Sequence, residues 1–163
     1  MWTVNEKKNM LSKEEIKEIE KSLAHYPHRR AASLEALKIV QEHRGWVSDD
    51  HIAELGTLLG MTPDELDNIA TFYNLVFRKP VGRHVILLCD SVSCFIMKYQ
   101  EILQYLTHEL GIKFGETTGD RRFTLLPVPC LGACDQAPAM MVDNDLHTRL
   151  SSDNISGILE QYQ

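Results

Sequence analysis

The residues in this chain best suited to chemistry are four cysteines, set in two pairs, Cys89-Asp-Ser-Val-Ser-Cys94 and Cys130-Leu-Gly-Ala-Cys134. No fifth thiol is left over, so the pattern reads as one site with four ligands. A structural zinc site usually takes pairs two to four residues apart, often with histidine, so these gaps are untypical of zinc but within its reach. Structural disulfides need an oxidising compartment, and nothing at the N-terminus looks like an export signal. A thiol–disulfide oxidoreductase would want Cys-x-x-Cys at a helix start, and neither pair has that spacing. A [2Fe–2S] cluster asks for four cysteines, two on each iron, and a four-residue gap occurs in the plant-type ferredoxin loop. Spacing favours the iron cluster and leaves zinc open.

The elements that must position these thiols follow from the apolar pattern. The first pair ends the run Val85-Ile-Leu-Leu88 and the second follows Phe123-Thr-Leu-Leu-Pro-Val128, so each sits just beyond a predicted buried strand, over about 83–89 and 123–128. Two neighbouring strands would bring both pairs to one edge of a sheet. Between them a helix is predicted at about 96–110, with Ile102, Leu103, Leu106 and Leu110 inward, which makes a β-α-β unit. Ala139–Val142 and Leu146–Arg149 can form a hairpin, and Ser151 or Ser152 can cap a last helix to about Tyr162. Gly132 permits a tight loop whose backbone approaches the sulfurs, and the helix after Cys94 is expected to direct its N-terminal N–H groups at them.

Upstream, Ser12-Lys-Glu-Glu15 is a capping box that should start a helix carrying Ile16, Ile19 and Leu23 and ending near Tyr26-Pro27. A second helix is predicted from about Arg30 to His43, with Ala32, Ala36, Leu37 and Val40 on one face and Gly45 as its stop. Ser48 or Asp49 can cap a third, with Ile52, Leu55 and Leu59, closed by Gly60. Thr62-Pro63-Asp64-Glu65 starts a fourth, whose stripe is Leu66, Ile69, Ala70 and Tyr73. Short connections imply a small four-helix bundle with its own core. Arg78-Lys-Pro-Val-Gly82 breaks the helical period, so the predicted domains are 1–80 and 81–163.

Composition narrows the function. The apolar fraction of 44% and charged fraction of 25% belong to a soluble globular protein. No apolar run is long enough to span a bilayer, so any membrane association must come through a partner. The net charge of −6 is shared, −2 in residues 1–80 and −4 in residues 81–163, so neither half is a basic arm for nucleic acid. The opening Met1-Trp-Thr-Val-Asn-Glu-Lys-Lys-Asn9 has neither the arginines of a transit peptide nor an apolar core, which points to a cytosolic protein. There is no Gly-x-Gly-x-x-Gly and no Walker-type loop, so nothing suggests that the chain binds a nucleotide by itself.

The segment Asp120-Arg-Arg-Phe-Thr-Leu-Leu-Pro-Val-Pro-Cys130-Leu-Gly-Ala-Cys134-Asp-Gln-Ala-Pro138 resembles, position by position, the signature of the small [2Fe–2S] subunit of respiratory complex I. Cys89-x4-Cys94 matches that family's first ligand pair. The likeness extends through Tyr26-Pro-His-Arg-Arg30, Ala36–Gln41, Gly45-Trp-Val47, Ala70-Thr-Phe-Tyr73 and Pro80-Val-Gly-Arg-His84, leaving out about the first ten residues. It implies a helical bundle followed by a thioredoxin-like [2Fe–2S] ferredoxin domain, with Cys89, Cys94, Cys130 and Cys134 as cofactor-binding metal ligands. It also implies one-electron exchange with flavin inside an NADH:quinone oxidoreductase. FMN and NADH would sit on a partner subunit, and other peripheral-arm subunits would complete an assembly at the cytoplasmic face of the inner membrane. The equivalent diaphorase subunit of an NAD-linked hydrogenase or formate dehydrogenase is the alternative, with a zinc-stapled interaction module behind it.

Plainer readings apply to several conspicuous residues. His84 and His147 lie on or near predicted strands, but four thiolates make a histidine ligand unnecessary. Met140 and Met141 read as strand packing. Arg29, Arg30, Arg121 and Arg122 read as solvated charges, with Arg30 able to pair with an acid of its bundle. Trp46, Leu75, Val76 and Phe77 are apolar residues left over from the helical stripes, and we expect them to form a docking surface.

Overall fold

The computed structural model describes residues 10–162, so the N-terminal segment read above for targeting lies outside the described residues. The chain divides into two compact units, Met1–Pro80 and Val81–Gln163.

In the first unit, α1 (Lys13–Leu23), α2 (Ser33–Arg44), α3 (Asp49–Leu59) and α4 (Pro63–Phe72) share one apolar core. Three of them begin on reciprocal capping boxes, Ser12 with Glu15, Ser48 with His51 and Thr62 with Glu65. Each box satisfies two amides that the first helical turn leaves without partners. Gly45, at φ 80°, stops α2 in the left-handed conformation that glycine adopts at least cost. Ile19, Leu37, Leu55, Leu59 and Leu66 are fully buried at the centre. Beyond α4, Gln41 clamps the returning chain, donating to the Leu75 carbonyl at 2.8 Å and accepting from the Phe77 amide at 2.6 Å. Arg78 binds Asp67 at 2.7 Å, Asp49 at 2.5 Å and the Val47 carbonyl.

Three expectations need correction here, and the pairing left open to Arg30 is made. Helix α2 starts at Ser33, because His28 caps a separate 3-10 turn, Arg29–Ala32, by accepting from the Ala31 amide. Tyr73 falls beyond α4, in extended conformation and exposed, so it is not part of the stripe. Val76 belongs to the core, and the large exposed apolar residues of this stretch are Phe72, Tyr73 and Leu75. Arg30 is paired with Glu65 at 2.6 Å, and Arg29 donates to the Leu58 carbonyl, although both side chains stay near solvent.

The second unit is a four-stranded sheet in the order β2-β1-β3-β4. Strand β1 (His84–Cys89) runs parallel to β2 (Phe123–Val128), with Cys89 opposite Val128. It runs antiparallel to β3 (Ala139–Val142), which turns through Asp143 into β4 (Asp145–Thr148). The predicted helix at 96–110 is α6 (Tyr99–Leu110), preceded by a short helix, α5 (Val92–Ile96), that the sequence did not show; Lys98, at φ 71°, lies between them. Ile102 and Leu106 of α6 are buried as the pattern required. The last helix, α7 (Ser152–Leu159), stops short of Tyr162. Arg122 is not solvated: it donates to the carbonyls of Leu159 and Tyr162 and lies over the Phe123 ring, tying the end of the chain to β2.

Candidate metal centre

Strand pairing brings the two cysteine pairs together. Because β1 and β2 are parallel, their C-terminal ends meet at the same edge, and the Asp90 amide donates to the Val128 carbonyl at 3.1 Å. Cys89 is the last residue of β1 and Cys130 follows β2 by two residues. The chain then turns at once into α5, where Phe95 N–H reaches the Ser91 carbonyl and Met97 N–H the Ser93 carbonyl. Cys94 therefore lies inside α5, not ahead of a helix as the sequence suggested. On the other loop Gly132, at φ 78°, bends the backbone back so that its amide donates to Cys130 Sγ at 3.3 Å. Cys134 opens a 3-10 turn, Cys134–Gln136.

The thiols differ in exposure. Cys89 and Cys94 are buried, at 2% and 1%, while Cys130 and Cys134 are exposed, and none of the four is in a disulfide. Cys130 and Cys134 stand 3.8 Å apart, sulfur to sulfur. That is the edge of a tetrahedron with metal–sulfur bonds of about 2.3 Å, the spacing of two ligands on one metal. Among the described residues no three Cys, His, Asp or Glu side chains converge on a point that one ion could occupy. Four thiols gathered at one sheet edge are the donor set of a two-iron cluster, which takes two sulfurs on each iron.

Electrostatics link the pairs. Burial pushes the Cys94 thiol up to about 11, with Cys89 and Cys134 adding to it. The Gly132 amide, then Cys134, hold Cys130 below the ordinary thiol value, and Cys130 in turn pushes Cys134 up. Four thiolates this close repel one another, so full deprotonation requires a bound cation to neutralise them. Both histidines are elsewhere. His84, at the opposite end of β1, is 2.7 Å from Asp143, and His147 on β4 is 2.8 Å from the Tyr162 hydroxyl. Met140 is fully buried in the sheet.

A sequence model of the thioredoxin-like [2Fe–2S] ferredoxin family matches residues 3–163. The chain belongs to that family. It is similar to the E subunit of the NADH-quinone oxidoreductase of Pseudomonas aeruginosa, 48% identical over 94% of this chain and 92% of that one. The counterpart of the same name in Escherichia coli K12 is 51% identical, with the same coverage of both chains. Among solved structures, an NAD+-reducing [NiFe]-hydrogenase in the air-oxidised state superposes with a TM-score of 0.69 at 28% identity. That match covers 81% of this chain but only 23% of the hydrogenase chain, so the likeness concerns a minor part of the longer polypeptide. A thioredoxin-like [2Fe–2S] ferredoxin fold with one [2Fe–2S] cluster as cofactor follows from the family.

Sequence reasoning missed one feature of the site: Val92, Phe95, Ile96 and Met97 stand exposed on and just after α5. No signal could have found it, because a five-residue helix shows no usable periodicity.

Proposed function

We propose that this chain is the electron-transfer subunit of the NADH-oxidising module of an NADH:quinone oxidoreductase, with Cys89, Cys94, Cys130 and Cys134 as the ligands of its cluster. When bound, a [2Fe–2S] cluster accepts and returns one electron. The parallel register of β1 and β2 carries the reading, since it sets both cysteine pairs at one sheet edge. Cys89 and Cys94 hold the inner side of the site away from water, and the exposed Cys130 and Cys134 form its open side. The Gly132 amide favours negative charge on Cys130. Substrate chemistry falls to a partner that carries NADH and flavin, while this chain places and tunes the redox group.

Docking to that partner and to other peripheral-arm subunits fits two exposed apolar groups, Phe72 with Leu75 on the first unit, and the α5 residues beside the cysteines on the second. In this reading residues 1–80 are a four-helix docking bundle and residues 81–163 the redox domain. No helix among the described residues is long and apolar enough to cross a membrane. The chain then works at the cytoplasmic face of the membrane, held there by its complex. A diaphorase role in an NAD-linked hydrogenase is the second reading, favoured by the structural likeness. The higher identity of the NADH-quinone oxidoreductase relatives over nearly full length favours the first.

Purifying the native assembly tests the proposal. The expected result is co-purification with a flavin- and NADH-binding chain, with two irons and two sulfides on this chain and a paramagnetic signal on reduction. A colourless chain with one zinc would refute it.

A further inference from the structure

The two cysteine pairs differ in what can reach them. Cys89 and Cys94 are buried, and Cys94 is held inside α5, so reagents in solution do not meet their sulfurs. Cys130 and Cys134 are exposed, with their sulfurs 3.8 Å apart. That is about 1.8 Å more than a disulfide bond, a gap small enough for rotation of the two side chains to close. The loop between them has room to follow, because Gly132 has nothing within 4 Å of the place a Cβ would take. One pair is thus open to thiol–disulfide exchange and the other is sheltered from it.

We infer that Cys130 and Cys134 form a reversible thiol–disulfide site, which a low-molecular-weight disulfide oxidises before the cluster is inserted, and that the resulting bridge bars insertion. The inference rests on the ligand assignment proposed above. A thiolate of the pair attacks the small disulfide, forming a mixed disulfide and releasing one small thiolate. The second thiolate of the pair attacks the protein sulfur of that mixed disulfide, closing the Cys130–Cys134 bond and releasing the other small thiolate. Two electrons pass from the protein pair to the reagent, and the two thiol protons end on the released small thiols. Only Cys89 and Cys94 then remain as thiols, half the donor set of a two-iron cluster. Bridging also keeps the exposed sulfurs from sulfinic and sulfonic acids, which a thiol reductant does not reverse.

The test uses the full wild-type chain produced under iron restriction, reduced with a dithiol and freed of it without oxygen. The chain is treated with glutathione disulfide, unfolded, and its remaining thiols blocked with N-ethylmaleimide before its peptides are weighed. The expected product carries one bridge, Cys130 to Cys134, lighter by two hydrogens, with Cys89 and Cys94 blocked. Given iron and sulfide, a folded portion of this bridged chain should gain no visible absorbance until a dithiol is added, whereas the reduced chain should load directly. Blocking of all four cysteines, or bridges scattered over both pairs, overturns the inference and leaves the ligand assignment standing. Equal loading of the bridged chain, or no [2Fe–2S] cluster in the reduced one, overturns the ligand assignment itself.

Discussion

Replacing Glu15 with glutamine is the sharpest test of how the helical unit is held. The Glu15 side chain is 1% exposed, on α1, and faces Arg44 on α2. Arg44 grips it as a fork, Nε to Oε1 and a terminal nitrogen to Oε2, both at 2.7 Å. The Ser12 amide donates to Oε2 at 2.5 Å, completing the capping box. Burial alone would raise the carboxyl, but the Arg44 bonds and those from Ser12 outweigh it and bring it from 4.5 down to about 2. At about 1.4 kcal/mol per unit, that depression stabilises the folded state by roughly 3 kcal/mol at neutral pH. Loss of one partner from a buried ion pair costs about 3–5 kcal/mol in general, so two independent routes agree.

The sign over pH is fixed by the direction of the shift. A carboxyl with a lowered folded value stabilises fully above its unfolded value, and that stabilisation fades as pH falls from about 5 towards 2. The Glu15→Gln variant would keep the shape and lose the charge, so the contribution of this position should no longer change with pH. Urea unfolding followed by Trp46 emission, in a Trp2→Phe background, would measure the gap between the two proteins. We expect about 3 kcal/mol at pH 7, shrinking steadily below pH 5. A gap under about 0.5 kcal/mol at pH 7, or one constant down to about pH 3, would refute the reasoning.

Other outcomes follow from the same structure. Cys94→Ser should abolish the visible absorbance of the loaded chain while leaving its far-ultraviolet circular dichroism in place; retention of the full cluster signal would remove Cys94 from the ligand set. Gly82→Ala would drive a Cβ to 2.9 Å from the Arg122 carbonyl oxygen at the entry to β1, and urea unfolding should show a loss of about 1–3 kcal/mol. His51 is buried and accepts the Ser48 amide at Nδ1; burial, then Arg44, lower its basicity against the opposing pull of Glu15, Asp50 and Glu54. The unfolded chain therefore binds this proton more readily, and stability should fall as pH drops below about 6.5, a slope that His51→Gln should reduce in the same urea series. Phe95→Asp with Ile96→Asp should weaken capture of the flavin-bearing partner at least about tenfold in a pull-down titration, with unchanged monomer unfolding; equal capture would leave α5 without a docking role.

What was legible in the chain was whatever local chemistry decides. The Ser12 and Thr62 boxes, the Gly45 and Gly60 stops and the β1 and β2 strands are set by short-range rules, and they stand where those rules put them. The misplaced elements depend on contacts that sequence spacing does not encode. His28 diverts the start of α2 into a 3-10 turn through a side-chain bond. Lys98 adopts φ 71° between the unforeseen α5 and the start of α6, although lysine carries no propensity for that region. Arg122 looks like any surface arginine until the chain end supplies two carbonyls 37 and 40 residues away. The four cysteines stood out by type and spacing, whereas the division into a buried pair, Cys89 and Cys94, and an exposed pair, Cys130 and Cys134, needed the fold.

The direction of β2 is what makes one site out of two loops. In the parallel register Cys89 faces Val128, so the residues after both strands continue from the same edge. Were β2 reversed against β1 over the same six positions, its exit would lie at the His84 end, about five residues or roughly 16 Å away. No [2Fe–2S] cluster spans that distance between its ligand pairs. Parallel neighbours cannot be joined by a tight turn and need a long crossover, here the stretch that contains α5 and α6. The crossover thus does two things at once: it permits the parallel register, and its first helix carries Cys94 to the site. Helix α5 spans only Val92–Ile96 and holds Cys94 buried within it. Its outward residues, Val92, Phe95 and Ile96, consequently have no place in this chain's core and remain at the surface next to the exposed cysteines.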